Sequence, residues 1–233
     1  MKKLLLVAVF AIFSASSAIS AGLSDIRPTI GLSYNTAGYA AEGTERVGSD
    51  TGTTQSTTDE YGAFAEEYAS VFVELGFGDV LSIGIDYVPS SFDSPTNTSR
   101  EGSTTGANGA GSSSVSATFE DLTTAYAKIN ILPLGGAYLK LGFSQVDVVI
   151  NETMASGNTY GDVNTQGYVA GIGYAHEIDN GFAIRAEVTA SQFDDVRTTN
   201  GVTTASVANG GKNTVQVESM WGAKGTVSLV KSF

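Results

Sequence analysis

His176 is the single imidazole in this 233-residue chain, and cysteine is absent. Acid–base catalysis near neutral pH leans on imidazole, while thiolate nucleophiles, thiolate metal sites and disulfides all need cysteine. His176 stands three residues before Asp179 and shares a strand face with Tyr174 and Ile178. That setting reads as an interfacial residue among aromatics rather than a general base. Asp50-Thr51-Gly52 matches the aspartic-protease tripeptide. That chemistry needs two carboxylates sharing one proton in a buried site, and a lone copy in a Thr-rich stretch does not provide it. Gly210-Gly211-Lys212 lacks the spacing and the following helix of a phosphate-binding loop. Asn97-Thr98-Ser99 and Asn151-Glu152-Thr153 fit the glycosylation sequon, which by itself merits no site assignment. The expectation is a protein without catalysis, cofactor or resident metal.

Charge narrows the partners. Twelve Lys and Arg stand against 24 Asp and Glu, a formal net charge of −12, so the basic footprint that phosphate backbones require is missing and nucleic acid is excluded. Glu42, Glu45, Asp50, Asp59 and Glu60 fall in one polar stretch. Such hard carboxylates suit divalent cations of the kind shared with lipopolysaccharide, but they lack a calcium-loop spacing and read as a solvated surface.

A second set of charges is more ordered. Glu74, Asp86, Lys128, Lys140, Glu177, Arg185, Glu187 and Lys224 each fall in the polar phase of an alternating segment. The elements that carry them are period-2 runs, the mark of strands with unlike faces. Eight can be read, at roughly 27–36, 67–77, 80–89, 118–132, 137–148, 165–178, 182–193 and 215–233. Leu81, Ile83, Ile85 and Tyr87 oppose Ser82, Gly84 and Asp86. Phe182, Ile184, Ala186 and Val188 oppose Arg185, Glu187, Thr189 and Ser191. The 28 glycines against 4 prolines agree with many strands joined by turns.

Residues 1–21 have the layout of a cleaved secretory signal. Lys2 and Lys3 precede an apolar run from Leu4 to Phe13, and small residues lead to Ala21. The apolar run is about half the roughly 20 residues that a spanning helix needs. Residues 22–233 then form one exported domain.

Connections between the segments sort by length. Gly78-Asp79, Pro133-Leu134-Gly135-Gly136 and Asp179-Asn180-Gly181 are tight turns, whereas 37–66, 90–117, 149–164 and 194–214 are long and polar. The 90–117 connection includes the flexible stretch GSTTGANGAGSSS. Alternation of short and long connections puts all turns at one end and all loops at the other. That is the topology of an all-β, eight-stranded antiparallel up-and-down transmembrane β-barrel of a bacterial outer membrane, with both termini periplasmic. Oriented this way, Phe77, Tyr174, Phe182 and Phe233 lie near the turn end of the apolar face. Tyr34, Tyr87, Phe143, Tyr168 and Trp221 lie toward the loop end, giving the two aromatic belts expected at two headgroup levels.

A leading signal, eight alternating segments and the terminal pattern Val227, Leu229, Phe233 resemble the small outer-membrane barrels of the OmpA transmembrane-domain, OmpX and opacity-protein type, a porin-like group. The resemblance covers essentially all of residues 22–233. It implies that Phe233 is the signal read by the barrel-assembly machinery. Lys231 departs from the pattern, standing on the apolar face; so near the end it can snorkel at a cost of about 0–1 kcal/mol.

Eight strands enclose an interior that side chains can fill. Charges of both signs at one level should pair there, since an unpaired buried charge is costly. Glu74, Asp86, Lys128, Lys140, Arg185, Glu187 and Lys224 are therefore expected to form a cross-lumen ion network that plugs the barrel. Function then resides in the loops: a structural and surface-presentation role meeting lipopolysaccharide, host surfaces, neighbouring cells or phage. The alternative is a narrow porin-like channel for small solutes.

Overall fold

The computed structural model describes residues 26–48, 54–101, 111–154, 159–200 and 213–233. Residues 1–21, Asp50-Thr51-Gly52, Gly210-Gly211-Lys212 and most of the glycine–serine stretch lie outside them.

The strands are β1 (Ile26–Gly48), β2 (Thr54–Phe77), β3 (Leu81–Tyr87), β4 (Phe92–Asp93), β5 (Asn97–Glu101) and β6 (Gly111–Asn130). They continue as β7 (Ala137–Thr153), β8 (Val163–Glu177), β9 (Phe182–Phe193), β10 (Val196–Thr199) and β11 (Asn213–Ser232). Eight of them pair in the order β1-β2-β3-β6-β7-β8-β9-β11, every pair antiparallel, and β1 pairs back onto β11. Closure removes both sheet edges, the condition for a sheet to cross lipid without unsatisfied backbone groups. The Phe233 amide donates to the Pro28 carbonyl at 3.0 Å, carrying the seam to the last residue.

The wall is apolar outside and polar inside. Leu32, Ile172 and Val188 are 57%, 64% and 63% exposed, while Asn35 and Ser70 are fully buried. Hydroxyls and amides pair between neighbouring strands on the inner face. Ser33 meets Ser228 at 2.9 Å and Thr124 meets Ser144 at 2.6 Å, while Asn35 binds Ser70 and accepts from Thr226. In water this arrangement would expose a wide apolar surface; in lipid the same surface is the favourable one.

Two turns follow directly from their residues. Asn180 (φ 59°) and Gly181 (φ 75°) are both left-handed, the pair of values a two-residue type I′ hairpin requires. Between β6 and β7 the expected tight hairpin is slightly longer: Leu132–Leu134 form one 3₁₀ turn before Gly135 and Gly136.

The long polar connections need a correction. Much of 37–66 is ladder, with β1 and β2 paired out to Gly48 and Thr54. Short strands β4 and β5 add to β6 within 90–117, and β10 adds to β11 within 194–214. Beyond the lipid-facing part both faces of a strand can be polar, so apolar–polar alternation lapses while backbone pairing continues. Side chains take part: Thr44 donates to Asp59 at 2.9 Å and Tyr61 to Glu42 at 3.0 Å. The Glu42 carboxylate accepting that hydrogen bond raises the Tyr61 hydroxyl pKa above its usual value.

Candidate functional site

The barrel interior is layered. In its lower half, toward the turns, Glu74 (2% exposed) is the hub. Arg185 donates to it through both terminal nitrogens, at 2.5 and 2.8 Å, Lys128 at 3.0 Å and the Tyr126 hydroxyl at 2.8 Å. Beside it, Glu187 accepts from Lys140 at 2.9 Å and from the Tyr138 hydroxyl at 3.2 Å. Lys128 and Lys140 are direct partners in the β6–β7 register, a placement that is repulsive for like charges. Each turns to its own carboxylate and lies near the other's tyrosine, Lys128 5.5 Å from the Tyr138 ring and Lys140 4.1 Å from the Tyr126 ring.

Asp86 and Lys224 form a separate, looser pair at 3.9 Å, and Asp86 Oδ1 has no hydrogen-bond partner. Glu177, grouped with these charges by its phase, is exposed at the turn end and outside the cluster. The structure thus joins five of the seven named charges in one contiguous group and sets two beside it.

Sequence phase alone missed the tyrosines and the glycines that admit them. Tyr126 lies opposite Gly84, where an added Cβ would stand 2.7 Å from the ring. Tyr138 lies opposite Gly173, where the same atom would stand 2.3 Å from its ring. Phe72 covers Gly31 in the same way, and the Arg185 guanidinium is 5.3 Å from its ring. The available signal was an inward glycine opposite an inward aromatic.

Above the ions lies an apolar layer. Ala37, Tyr68, Val88, Phe92, Leu122, Val146 and Val148 form a buried cluster, with Tyr39, Phe64, Phe119 and Phe193 packed against it. Near-parallel rings run through it: Tyr68–Phe92 at 5.1 Å, Phe92–Phe119 at 5.2 Å and Phe64–Phe119 at 5.6 Å. Between the two layers, a space of about 30 Å³ is bounded by Thr124, Ser144, Thr189, Lys140 and Lys224. It has room for about one water molecule.

On the outside, Tyr34, Phe143, Tyr168 and Trp221 stand exposed toward the loop end, with Tyr87 partly covered. The Tyr34 hydroxyl donates to Glu67, and Tyr87 donates to Asp121 at 2.7 Å. Phe77, Tyr174, Phe182 and Phe233 stand exposed toward the turns. Lys231 reaches the Asn180 carbonyl, its ammonium 4.6 Å from the Phe182 ring. His176 faces outward, opposite Ile184.

Solved structures of outer-membrane proteins are similar to this chain at low identity, and OprG shares its fold. The outer membrane protein OprG from Pseudomonas aeruginosa matches with a TM-score of 0.56 at 10% identity, over 88% of this chain and 95% of that one. The outer membrane protein AlkL matches with a TM-score of 0.46 at 10% identity, over 88% and 90%. Ail of Yersinia pestis, solved with the heparin analogue sucrose octasulfate, matches with a TM-score of 0.38 at 10% identity, over 87% and 99%. No family model matches the sequence, and no curated protein matches it. The architecture is that of the small outer-membrane β-barrels, the group the sequence resembles.

Proposed function

We propose that this chain is an integral outer-membrane barrel, termini periplasmic, whose lumen is shut and whose role is surface presentation. The ion network carries the reading. Glu74 on β2 is held by Lys128 on β6 and Arg185 on β9, so charged side chains meet across the interior instead of lining an open bore. Opening a path would separate buried, paired charges, each costing several kcal/mol when left unpaired. With the lumen closed, the parts free to act are the hairpins at the loop end, of which β1–β2 extends farthest from the shared wall. These would meet lipopolysaccharide, host surfaces, other cells or phage. Phe233 would serve the barrel-assembly machinery, and the aromatic belts would set depth in the membrane. No catalytic step is assigned.

One observation favours the narrow channel instead: Lys224 and Asp86 are 3.9 Å apart, a contact looser than the others. Planar-bilayer recording separates the two. The closed barrel shows no stable openings, with liposome swelling no faster than protein-free controls. Stable openings of porin size refute the plug, and small resolved steps lost in Lys224→Met favour the channel.

A further inference from the structure

The apolar layer is not filled. A cavity of about 510 Å³ sits at the loop end above the ions, lined by Tyr39, Phe64, Phe92, Phe119, Val146 and Phe193 among others. Protein interiors pack to near-crystalline density, with few voids larger than a water molecule. A hollow of this size falls within the 300–1,000 Å³ typical of small-molecule sites.

Backbone irregularity builds it. In β6 the register with β7 shifts between Glu120 and Thr123, with Asp121 left-handed at φ 53°. Strict alternation would send Phe119 and Leu122, three positions apart, to opposite faces. The bulge brings both to the cavity. The Tyr87 hydroxyl holds the bulge through Asp121. A second left-handed residue, Ser219 at φ 52°, precedes Met220, which also lines the cavity opposite Phe193. Two strained non-glycine residues beside one cavity are what a shaped site shows.

The lining decides the ligand class. Among the described residues it contains no charged side chain; its polar groups are hydroxyls and amides such as Ser94, Asn97 and Thr165. An ion would lose its hydration there without compensation, whereas an uncharged apolar molecule would gain from burial. The ion network closes the floor, so entry is from the loop end.

We infer that the upper lumen is a binding site for a small, uncharged, predominantly apolar molecule arriving from the external medium. The cavity itself lies above the ions, while entry from the external medium rests on the closed-barrel reading.

Gly62 offers a clean test. It lies in phase with Phe64 on β2, lines the cavity, and an added Cβ there meets nothing within 4 Å. Gly62→Phe therefore fills the site without disturbing the wall. The full chain is titrated with the uncharged probe N-phenyl-naphthylamine, in dodecyl maltoside and again in phosphatidylcholine vesicles. Expected is saturable binding of one probe per chain in both media, weakened about tenfold or more in Gly62→Phe. The lipid-face variant Ile172→Ala should bind as wild type does. Purely linear partitioning, or unchanged saturable binding in Gly62→Phe, overturns the site. Saturable binding in detergent that vanishes in vesicles overturns the external source, because lipid chains then hold the cavity. Retained heat-dependent gel migration of Gly62→Phe shows that its loss of binding is not unfolding.

Discussion

Arg185 on β9 grips Glu74 on β2 across the lumen through two parallel hydrogen bonds, although three strand pairings along the wall separate their strands. Only closure of the barrel brings them together, so this pair reports on closure. Arg185→Met should leave Glu74 with Lys128 and Tyr126 alone and lower stability by about 3 kcal/mol. The double variant Glu74→Met/Arg185→Met should recover part of the loss, because no buried charge is then stranded. Denaturant unfolding in lipid vesicles measures both; equal stability of Arg185→Met and wild type would remove the network's structural role.

Gly84 and Gly173 are expected to be irreplaceable for a steric reason. A methyl at Gly84 would stand 2.8 Å from Glu74 Cγ as well as against Tyr126, and one at Gly173 would stand 2.4 Å from the Tyr138 hydroxyl. Gly84→Ala and Gly173→Ala should each cost about 1–3 kcal/mol. Gly225→Ala should stay within about 0.5 kcal/mol, since a Cβ there meets nothing within 4 Å. The same unfolding assay ranks the three; a destabilised Gly225→Ala beside a neutral Gly84→Ala would reverse the argument.

Legibility in the sequence followed the solvent. Where strands face lipid, as at Leu81, Ile83 and Ile85, period-2 alternation marks them, and the Asn180-Gly181 turn is fixed by its two left-handed residues. The charges could be assigned to the inner face from phase alone. Which of them pair could not, because Glu74 and Arg185 are 111 residues apart and meet only through three-dimensional closure. The apolar layer escaped for two reasons. Tyr39, Phe64 and Phe92 fall where both strand faces vary, so the stretch read as loop. Strict alternation then puts Phe119 and Leu122 on opposite faces, and only the Asp121 bulge brings them together.

Lys231 should prove cheap to replace despite standing on the lipid face. Its ammonium reaches the Asn180 carbonyl of the neighbouring turn, so the charge stays near the turn-end boundary instead of in hydrocarbon. Lys231→Leu should change stability by no more than about 1 kcal/mol. Phe233→Ala, by contrast, should sharply lower the amount of folded barrel recovered from outer membranes, if the terminal aromatic serves assembly. Gel comparison of heated and unheated membrane fractions reads both; equal yields from Phe233→Ala and wild type would strip that residue of the role.

The β1–β2 extension should be separable from the barrel below it. Its ladder continues past the Tyr39–Phe64 pair through Glu42–Tyr61 and Thr44–Asp59, none of which touches the Glu74 network. Replacing residues 44–59 with a two-residue Asn-Gly hairpin should leave heat-dependent migration and bilayer silence unchanged, because the ions and the seam pairs from Thr29–Ser232 to Gly43–Val217 lie below the cut. If the hairpins carry the surface role, the same truncation should reduce binding of cells or lipopolysaccharide to immobilised protein. Unaltered binding would move that role to the β5–β6 or β10–β11 ends. A barrel that no longer folds would show that the extension supports the wall, because the ladder up to the Gly43–Glu60 pair would then depend on pairs above it.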